Sequence, residues 1–306
     1  LFMDLPLIGG DEQPHAPHLA VTAQPWPGSV ALYGAQSDAD YVLEEVLAAA
    51  STIAITNTVL PAGALGRWER GADLEVDMIT GQFQSRDRTA VLNGANLVAI
   101  GDGSPGNWEL LQFAKAELIA PGRYLLRDRL RGQQGSDARM PVAWPKGSYV
   151  VALDGTPQQI TLAANQRGLS RHYRIGTARR PYDDPSYVHL EAAFAGEGLR
   201  PYAPVHLRQK GVLGSGAVGL DWIRRSRTDG DRWDLAEIPL GEDLERYRLR
   251  IRRGRDVLRE ELLDSPGWSY PVAAQTADAV APGDRVEVAQ VSARYGAGAA
   301  TALRLV

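Results

Sequence analysis

The sequence contains no cysteine. This absence excludes disulfide bonds, thiolate catalysis and any zinc site built on sulfur. It does not assign a compartment, because cysteine-free proteins work in reducing and in oxidising surroundings alike.

A basic surplus is also missing. The formal net charge is −4 and the pI is about 5.8, whereas a surface that binds duplex DNA needs clustered Lys and Arg to release counterions. The longest basic clusters are Arg179–Arg180 and the arginines between Arg248 and Arg255, which we interpret as solvated strand faces. We therefore expect no stable nucleic-acid binding.

No apolar run approaches the ~20 residues that a membrane-spanning helix requires, so we expect no membrane span. The apolar start of the chain, LFMDLPLIGG, carries Asp4 and has neither a basic beginning nor a small-residue cleavage site. We interpret it as a strand and not as a signal peptide.

Glycine and proline, by contrast, are abundant, with 32 and 19 residues. Many turns favour short strands over long helices, so the predicted fold class is mainly β. Hydrophobic residues make up 44% of the chain and charged residues 23%, which is enough for a buried core in a soluble protein. The length of 306 residues predicts two or three domains.

The most informative stretch is a predicted hairpin near the middle of the chain. Its first strand runs from about Trp108 to Leu118 and its second from about Arg123 to Leu130, with Pro121–Gly122 between them. Proline suits the first corner of a tight turn, and glycine accepts the positive φ of a type II turn. The following Arg131–Gly135 contains two glycines and predicts a sharp change of direction. The hairpin is typical of a structural brace, not of a catalytic centre.

This hairpin resembles a signature of tail-tip and baseplate hub proteins, which belong to tailed bacteriophages and gene transfer agents. The positions that carry the resemblance are Trp108, Glu109, Gln112, Phe113, Ala116, Glu117, Leu118, Gly122, Tyr124, Leu125, Leu130, Arg131, Gly132 and Gly135. The segments WPGSVALY, AVLNGANLVAIG and the final VAQVSARYGAGAATALRLV also look like this family, so the resemblance covers most of the chain. Within this family, the chain resembles the C-terminal part of the large hub protein of alphaproteobacterial gene transfer agents. Ser136 is a mild departure, since relatives usually carry Thr there.

The resemblance implies a structural, non-enzymatic component of a virion-like particle, located at the tail tip and assembled in the cytoplasm. It would close the tail end and make contacts during delivery to a host cell. The implied partners are other copies of the chain in a homotrimer and neighbouring tail or baseplate proteins. A host surface polysaccharide is an additional candidate partner, which belongs to the adhesin alternative given below. A glycoside-hydrolase-like domain is implied upstream in the full-length protein, outside this chain.

The predicted domains are residues 1–100, 101–198 and 199–306, of which the first two are open to being one domain. Residues 1–198 are expected to form β-barrel-like or mixed β modules. Within them, Asp38–Ala50 has apolar spacing that fits either a short helix or a strand–turn pair. The segment Gly196–Pro204 is the predicted linker. The last 100 or so residues predict a fibronectin type III-like sandwich, because Tyr247–Arg252 alternates apolar with charged residues and Trp222 lies in an early strand.

Several motifs invite a chemical interpretation, and in each case a structural one is preferred. Gly214–Gly219 matches G-x-G-x-x-G, yet a β-strand pattern follows it where a dinucleotide site needs a helix. Other candidates are treated as loop, turn or strand-face residues: His15 and His18, the isolated His172, His189 and His206, the acids Asp73, Glu75 and Asp77, the turns Asp183–Asp184 and Asp229–Asp231, and Ser104 and Ser215. We therefore expect no catalytic residue, no cofactor and no metal.

Three aromatic residues, Trp233, Trp268 and Tyr270, are candidates for stacking on sugar rings or for contacting a partner. The preferred interpretation of Trp268 and Tyr270 is structural, as residues that fill the edge of the sandwich. They keep two alternative functions open. One is a carbohydrate-binding adhesin that recognises the host, and the other is a non-catalytic accessory region of a polysaccharide hydrolase.

Overall fold

The computed structural model describes residues 1–228, 230 and 236–306. The chain divides into two compact units, Leu1–Gly198 and Leu199–Val306. Both units are built mainly from antiparallel β-strands, so the predicted fold class is confirmed. Among the residues described, no helix has the length and apolar character to cross a membrane.

The first unit contains fifteen strands and one short helix in its described structure. The strands are β1 (Phe2–Met3), β2 (His18–Leu19), β3 (Val30–Ala35), β4 (Val42–Leu47), β5 (Ile53–Thr56), β6 (Leu60–Pro61), β7 (Leu74–Thr80), β8 (Leu97–Gly101), β9 (Trp108–Ala120), β10 (Arg123–Leu130), β11 (Ala143–Trp144), β12 (Tyr149–Ala152), β13 (Gln158–Gln159), β14 (Arg171–Thr177) and β15 (Val188–Ala192). Helix α1 (Arg88–Leu92) begins after Asp87, whose side chain accepts a hydrogen bond from the amide of Ala90. Short 3₁₀ segments cover Gln133–Arg139, Ala164–Gln166 and Glu197–Leu199.

Six strands close into a barrel in the order β10-β7-β5-β12-β8-β9. Its interior is filled by alternate side chains of each strand, as Leu74 and Val76 in β7 show by their complete burial. The predicted central hairpin is β9 and β10, which pair with each other and so complete the ring. At its tip, Gly122 has a φ of +70°, in line with the predicted turn.

A second, four-stranded sheet of the first unit has the order β15-β14-β3-β4. One of its faces covers a core that includes Leu32, Tyr173 and Phe194. Tyr173 is fully buried, whereas its neighbours His172 and Arg174 lie on the opposite face of β14.

The helix considered for Asp38–Ala50 does not form, and the strand alternative is the one observed. Residues Val42–Leu47 are β4, which pairs with β3 along the edge of the four-stranded sheet. Leu47 is buried there, but Val42, Leu43 and Val46 are exposed. Apolar residues at helical spacing were therefore misleading, because an edge strand leaves most of them in solvent.

The second unit is a two-layer sandwich. Its strands are β16 (Val205–Lys210), β17 (Val218–Ile223), β18 (Tyr247–Arg253), β19 (Asp256–Leu263), β20 (Gly267–Tyr270), β21 (Arg285–Ser292) and β22 (Gly296–Arg304), with helix α2 at Val272–Ala277. The sheets β16-β17-β20 and β19-β18-β21-β22 share one core, in which Trp222 and Tyr247 pack edge to face at 5.2 Å. This arrangement is compatible with the fibronectin type III-like sandwich expected from the sequence.

Candidate functional site

The signature hairpin brings a glutamate and an arginine together inside the first unit. Glu109 of β9 and Arg131, which follows β10, both have fully buried side chains. Arg131 donates from Nε to Oε1 of Glu109 at 2.7 Å and from Nη2 to Oε2 at 2.9 Å. This two-pronged geometry is the strongest form of an arginine–carboxylate pair.

The carboxylate of Glu109 accepts two further hydrogen bonds. Trp144 of β11 donates from its indole nitrogen to Oε2 at 2.7 Å, and the amide of Gly132 donates to Oε1 at 3.2 Å. Four donors thus satisfy a charge that would be very costly to bury alone. The positions Glu109, Arg131 and Gly132 of the family signature are therefore parts of one network.

Further contacts of Arg131, with the backbone of Pro61 and the side chain of Glu69, extend this network. Arg131 also donates from Nη1 to the carbonyl of Pro61 at 2.9 Å and lies 3.4 Å from Oε2 of Glu69. Glu69 in turn accepts from Nε of Arg129 at 3.2 Å. Burial lowers the pKa of Arg131, but the hydrogen bond and charge of Glu109 outweigh burial and leave that pKa raised. We call the set Glu69, Glu109, Arg129, Arg131 and Trp144 the buried ion network.

The remaining signature residues have packing and backbone roles. Trp108 and Phe113 are buried in the strand β9. Gly132 has a φ of +59°, and a Cβ there would lie 2.9 Å from Cα of Asp137, so only glycine fits without a shift. Gly135 also has a positive φ, of +71°. Tyr124 and Leu130 pack beside the barrel core and a small satellite cluster respectively.

The buried ion network has a structural role, in which it holds neighbouring segments of the chain together. Its donors and acceptors are directed at one another, and its charged members Glu109, Arg129 and Arg131 are closed off from solvent. The network ties the β9–β10 hairpin to the segments that carry Pro61, Glu69 and Trp144, and so fixes the loops next to that part of the barrel.

A different kind of surface lies on the outer face of the four-stranded sheet. Tyr33 of β3 lies 5.4 Å from Tyr182 and 6.0 Å from Tyr187, measured between ring centroids. Tyr182 lies 5.5 Å from Tyr41, and the guanidinium of Arg174 lies 4.9 Å from the centre of the Tyr41 ring. We call these four tyrosines and Arg174 the tyrosine face.

Beside the tyrosine face, Asp38, His172 and His189 bring their ligand atoms within 4.8 Å of one another. Nδ1 of His172 and Nε2 of His189 are 3.1 Å apart, and the two rings are parallel to within 1°. Asp38 accepts hydrogen bonds on Oδ1 from the hydroxyl of Tyr41 at 2.6 Å and from Nη2 of Arg174 at 3.0 Å. These bonds, that of Tyr41 first, hold the pKa of Asp38 below its usual range.

Sequence reasoning treated His172 and His189 as isolated, and the structure corrects this. The two residues lie in adjacent strands, β14 and β15, whose pairing places His172 opposite Glu191 and His189 opposite Arg174. The sequence shows that both histidines lie in neighbouring predicted strands. Only the register of β14 and β15 shows that they occupy diagonal positions on the same face of the sheet. Asp38 could not have been found, because it comes from a distant loop.

The aromatic residues expected to contact sugars are placed differently from one another. Tyr270 has no exposed surface, and its hydroxyl donates to Oδ2 of Asp278 at 2.6 Å, so it fills the sandwich core and is not free to stack on a sugar. Trp268 is half-buried and stacks on Tyr270 with centroids 4.8 Å apart. Trp233 lies outside the described residues, as do Asp229 and Asp231.

The other motifs have structural roles. The loop Gly211–Ala217, which contains most of the G-x-G-x-x-G match, joins the antiparallel strands β16 and β17, as expected of a hairpin loop. His15 contacts the carbonyl of Leu162 through Nε2 at 2.8 Å, and burial lowers the pKa of His18. On β7, Asp77 pairs with Arg123 through a 2.6 Å contact.

A family model described as Rcc01698-like, C-terminal, matches residues 51–151. The matched third of the chain begins just before β5 and ends within β12, so it includes the barrel strands and the buried ion network. A search of curated proteins found no significant match.

Proposed function

We propose that this chain is a structural part of the tail tip or baseplate hub of a phage-like particle of the gene transfer agent type. The observation that carries the proposal is the signature hairpin, whose residues resemble those of hub proteins. The family model covers the same hairpin together with the whole barrel. The buried ion network supports a mechanical role, because the signature residues Glu109 and Arg131 bind each other and neighbouring loops inside the first unit.

In this role the barrel is a rigid unit that contacts neighbouring tail proteins and other copies of the chain, with a homotrimer as the assembly in the particle. A hub would be under mechanical force when the tail end closes and again when it opens for delivery. Antiparallel strands closed into a ring leave no unpaired edge within the ring, so every barrel strand is hydrogen-bonded on both sides. The C-terminal sandwich would lie at the periphery and mediate contacts there.

The proposal is tested by immunogold electron microscopy on purified particles with antibodies raised against this chain. Gold confined to the tail tip is the expected result. Gold absent from particles, with the antigen soluble or on the cell surface, would contradict the proposal and favour the adhesin or hydrolase-accessory alternatives. Preimmune serum and antiserum depleted with the purified chain are the controls.

Oligomeric state is a second test of the same proposal. Mild cross-linking of intact particles, followed by denaturing electrophoresis and detection with the same antibodies, should yield a band of three chains. Bands limited to one chain at every cross-linker concentration would contradict the homotrimer.

Carbohydrate binding is kept as a second candidate because Trp268 is half-buried and so leaves part of its ring at the surface of the second unit. Binding to host lipopolysaccharide or capsule should then be saturable and weakened by Trp268→Ala. Trp222→Phe, a change within the core, is the matched control for a general loss of aromatic packing.

A further inference from the structure

We propose that Asp38, His172 and His189 bind a divalent transition-metal ion, with Zn²⁺ as the representative case. The sequence alone predicted no metal. The donor set of two imidazoles and one carboxylate is common at zinc and other first-row transition metals. The absence of cysteine from the chain is no obstacle, since such sites need no sulfur ligand.

The spacing of the donors fits an ion of this size. Two nitrogens bound to tetrahedral Zn²⁺ at about 2.0–2.1 Å lie about 3.3 Å apart, and Nδ1 of His172 and Nε2 of His189 are separated by 3.1 Å. Nε2 of His189 lies 3.9 Å from Oδ1 of Asp38. The ligand atoms of all three residues lie within 4.8 Å of one another. Rotation of the aspartate side chain that turns Oδ2 toward the imidazoles would complete three ligands, and water would fill the fourth position.

The three ligands come from elements that are already in place. His172 lies on β14, a central strand, and His189 on the neighbouring β15, so backbone pairing fixes their separation. Asp38 lies in the β3–β4 connection and is oriented by Tyr41 and Arg174. Both of these hydrogen bonds end on Oδ1, which leaves Oδ2 to bind a cation. Hydrogen bonds to a ligating carboxylate are the kind of outer support that metal sites use.

The charges around the cluster include one that opposes cation binding and two that favour it. Arg174 repels a divalent cation, because its guanidinium contacts Asp38 itself. Asp38 and the nearby Glu191, opposite His172 on β15, attract a cation. Without an ion, an N–H···N hydrogen bond between the imidazoles accounts for the same 3.1 Å contact. A metal site and a simple hydrogen-bonded histidine pair therefore differ in a measurable property, which is the affinity of the chain for metal ions.

Binding would link a loop to an edge of the four-stranded sheet. Asp38 is over 130 residues from His172 in the chain, so an ion held by both would restrain the fold of the first unit. Any ligand that binds only the folded state raises stability by RT ln(1 + [L]/Kd). Zinc should therefore raise the unfolding temperature of the wild-type chain.

The test uses the full chain without a histidine tag, stripped of metal with EDTA and then dialysed. Isothermal titration calorimetry with Zn²⁺ at pH 7.5 should show one ion bound per chain, and Co²⁺ should produce visible absorption bands of a nitrogen- and oxygen-ligated site. His172→Gln and His189→Gln each remove a ligand and should weaken binding by at least the roughly 10- to 100-fold that loss of an outer hydrogen-bond partner costs. His206→Gln alters an exposed histidine of the second unit and should leave binding unchanged.

Circular dichroism of each variant separates loss of ligands from loss of fold, and His189 is suited to this because its side chain is 42% exposed. Failure of the wild-type chain to bind Zn²⁺ at submillimolar concentrations would overturn the proposal. So would binding that is equally strong in His172→Gln, His189→Gln and wild type. The tail-tip proposal does not depend on either result.

Discussion

At the scale of single residues, burial determines how much an ion pair affects the stability of the fold. Arg131 and Glu109 are both fully buried, whereas Arg123 and Asp77 form a similar pair at the surface with side chains 38% and 46% exposed. An exposed pair contributes at most about 1 kcal/mol, since water already solvates both partners. Removing one partner of a buried pair leaves the other without compensation, which costs about 3–5 kcal/mol.

Glu109→Gln should therefore lower the free energy of unfolding of the first unit by about 3–5 kcal/mol. The neutral amide keeps the shape of the side chain but leaves the more distant Glu69 as the anion nearest to Arg131. Urea unfolding followed by circular dichroism measures the change. Asp77→Asn is the matched control, with an expected loss under about 1 kcal/mol. Equal losses in the two variants would show that the buried ion network is not a special source of stability.

Asp4 makes the stability of the first unit depend on pH. Burial raises the pKa of Asp4 to about 6, although the amides of Glu197 and Gly196 donate to its carboxylate and partly offset burial. Between pH 4 and 6 the folded chain holds a proton that the unfolded chain has released. The contribution of Asp4 to stability is thus fully present below pH 4 and is lost as pH rises through 6, by up to about 1.4 kcal/mol per pH unit.

Asp4→Asn should remove this dependence, because an amide does not titrate in this range. Urea midpoints at pH 4, 5, 6 and 7 give the comparison, and the difference between wild type and variant should favour wild type most at pH 4. Asp11→Asn, at an exposed position, should follow the wild type at every pH. A difference between wild type and Asp4→Asn that stays constant with pH would refute the assignment to Asp4.

At the scale of elements, a glycine at the end of β8 is required by the close approach of the next strand. A Cβ on Gly101 would lie 2.5 Å from the carbonyl oxygen of Asn107 and 2.5 Å from the ring of Trp108, which is itself buried. Neither neighbour is the free end of a flexible side chain. Gly106 is only five residues away and has open space around its Cβ position.

Gly101→Ala should destabilise the barrel by about 1–3 kcal/mol, as overpacking of a core does. Gly106→Ala should be neutral or slightly stabilising, by less than about 1 kcal/mol, because it restricts the unfolded chain without a clash. Thermal unfolding of the two variants, monitored by circular dichroism, measures both effects. A Gly101→Ala variant as stable as Gly106→Ala would show that Trp108 and Asn107 can move aside at little cost.

These elements also show how far sequence reasoning reaches. The hairpin β9–β10 was predictable because local chemistry determines it: a Pro121–Gly122 turn, flanked by residues that favour strands. The observed second strand, Arg123–Leu130, has the predicted bounds, and the first extends two residues further, to Ala120. The sequence of β4 fitted a helix and a strand equally well. It cannot show that the strand lies at the edge of a sheet, where apolar side chains can remain exposed.

The buried ion network and the Asp38–His172–His189 cluster were beyond the reach of the sequence for another reason. Trp144 lies 35 residues from Glu109, and Asp38 lies 136 residues from Arg174. Such contacts depend on the order of strands in a sheet, which no local pattern specifies. Sequence resemblance did mark Glu109 and Arg131, but without showing that they pair.

At the scale of the whole molecule, the chain consists of two units with separate cores. The core of the second unit contains Trp222, Tyr247 and Tyr270 and is formed by residues of Leu199–Val306 alone. Its two sheets also share no strand with the first unit. A sandwich of about 100 residues is within the range that folds independently.

A fragment of residues 199–306 should therefore fold by itself. Dispersed amide signals in a two-dimensional NMR spectrum and a single cooperative urea transition are the expected observations, because one core is lost as a unit. Residues 1–198 should behave in the same way, and Glu109→Gln should destabilise that fragment without affecting the other. Collapse of the NMR dispersion in the isolated 199–306 fragment would mean that the sandwich requires the preceding residues, and the division between Gly198 and Leu199 would then not mark a boundary between folding units.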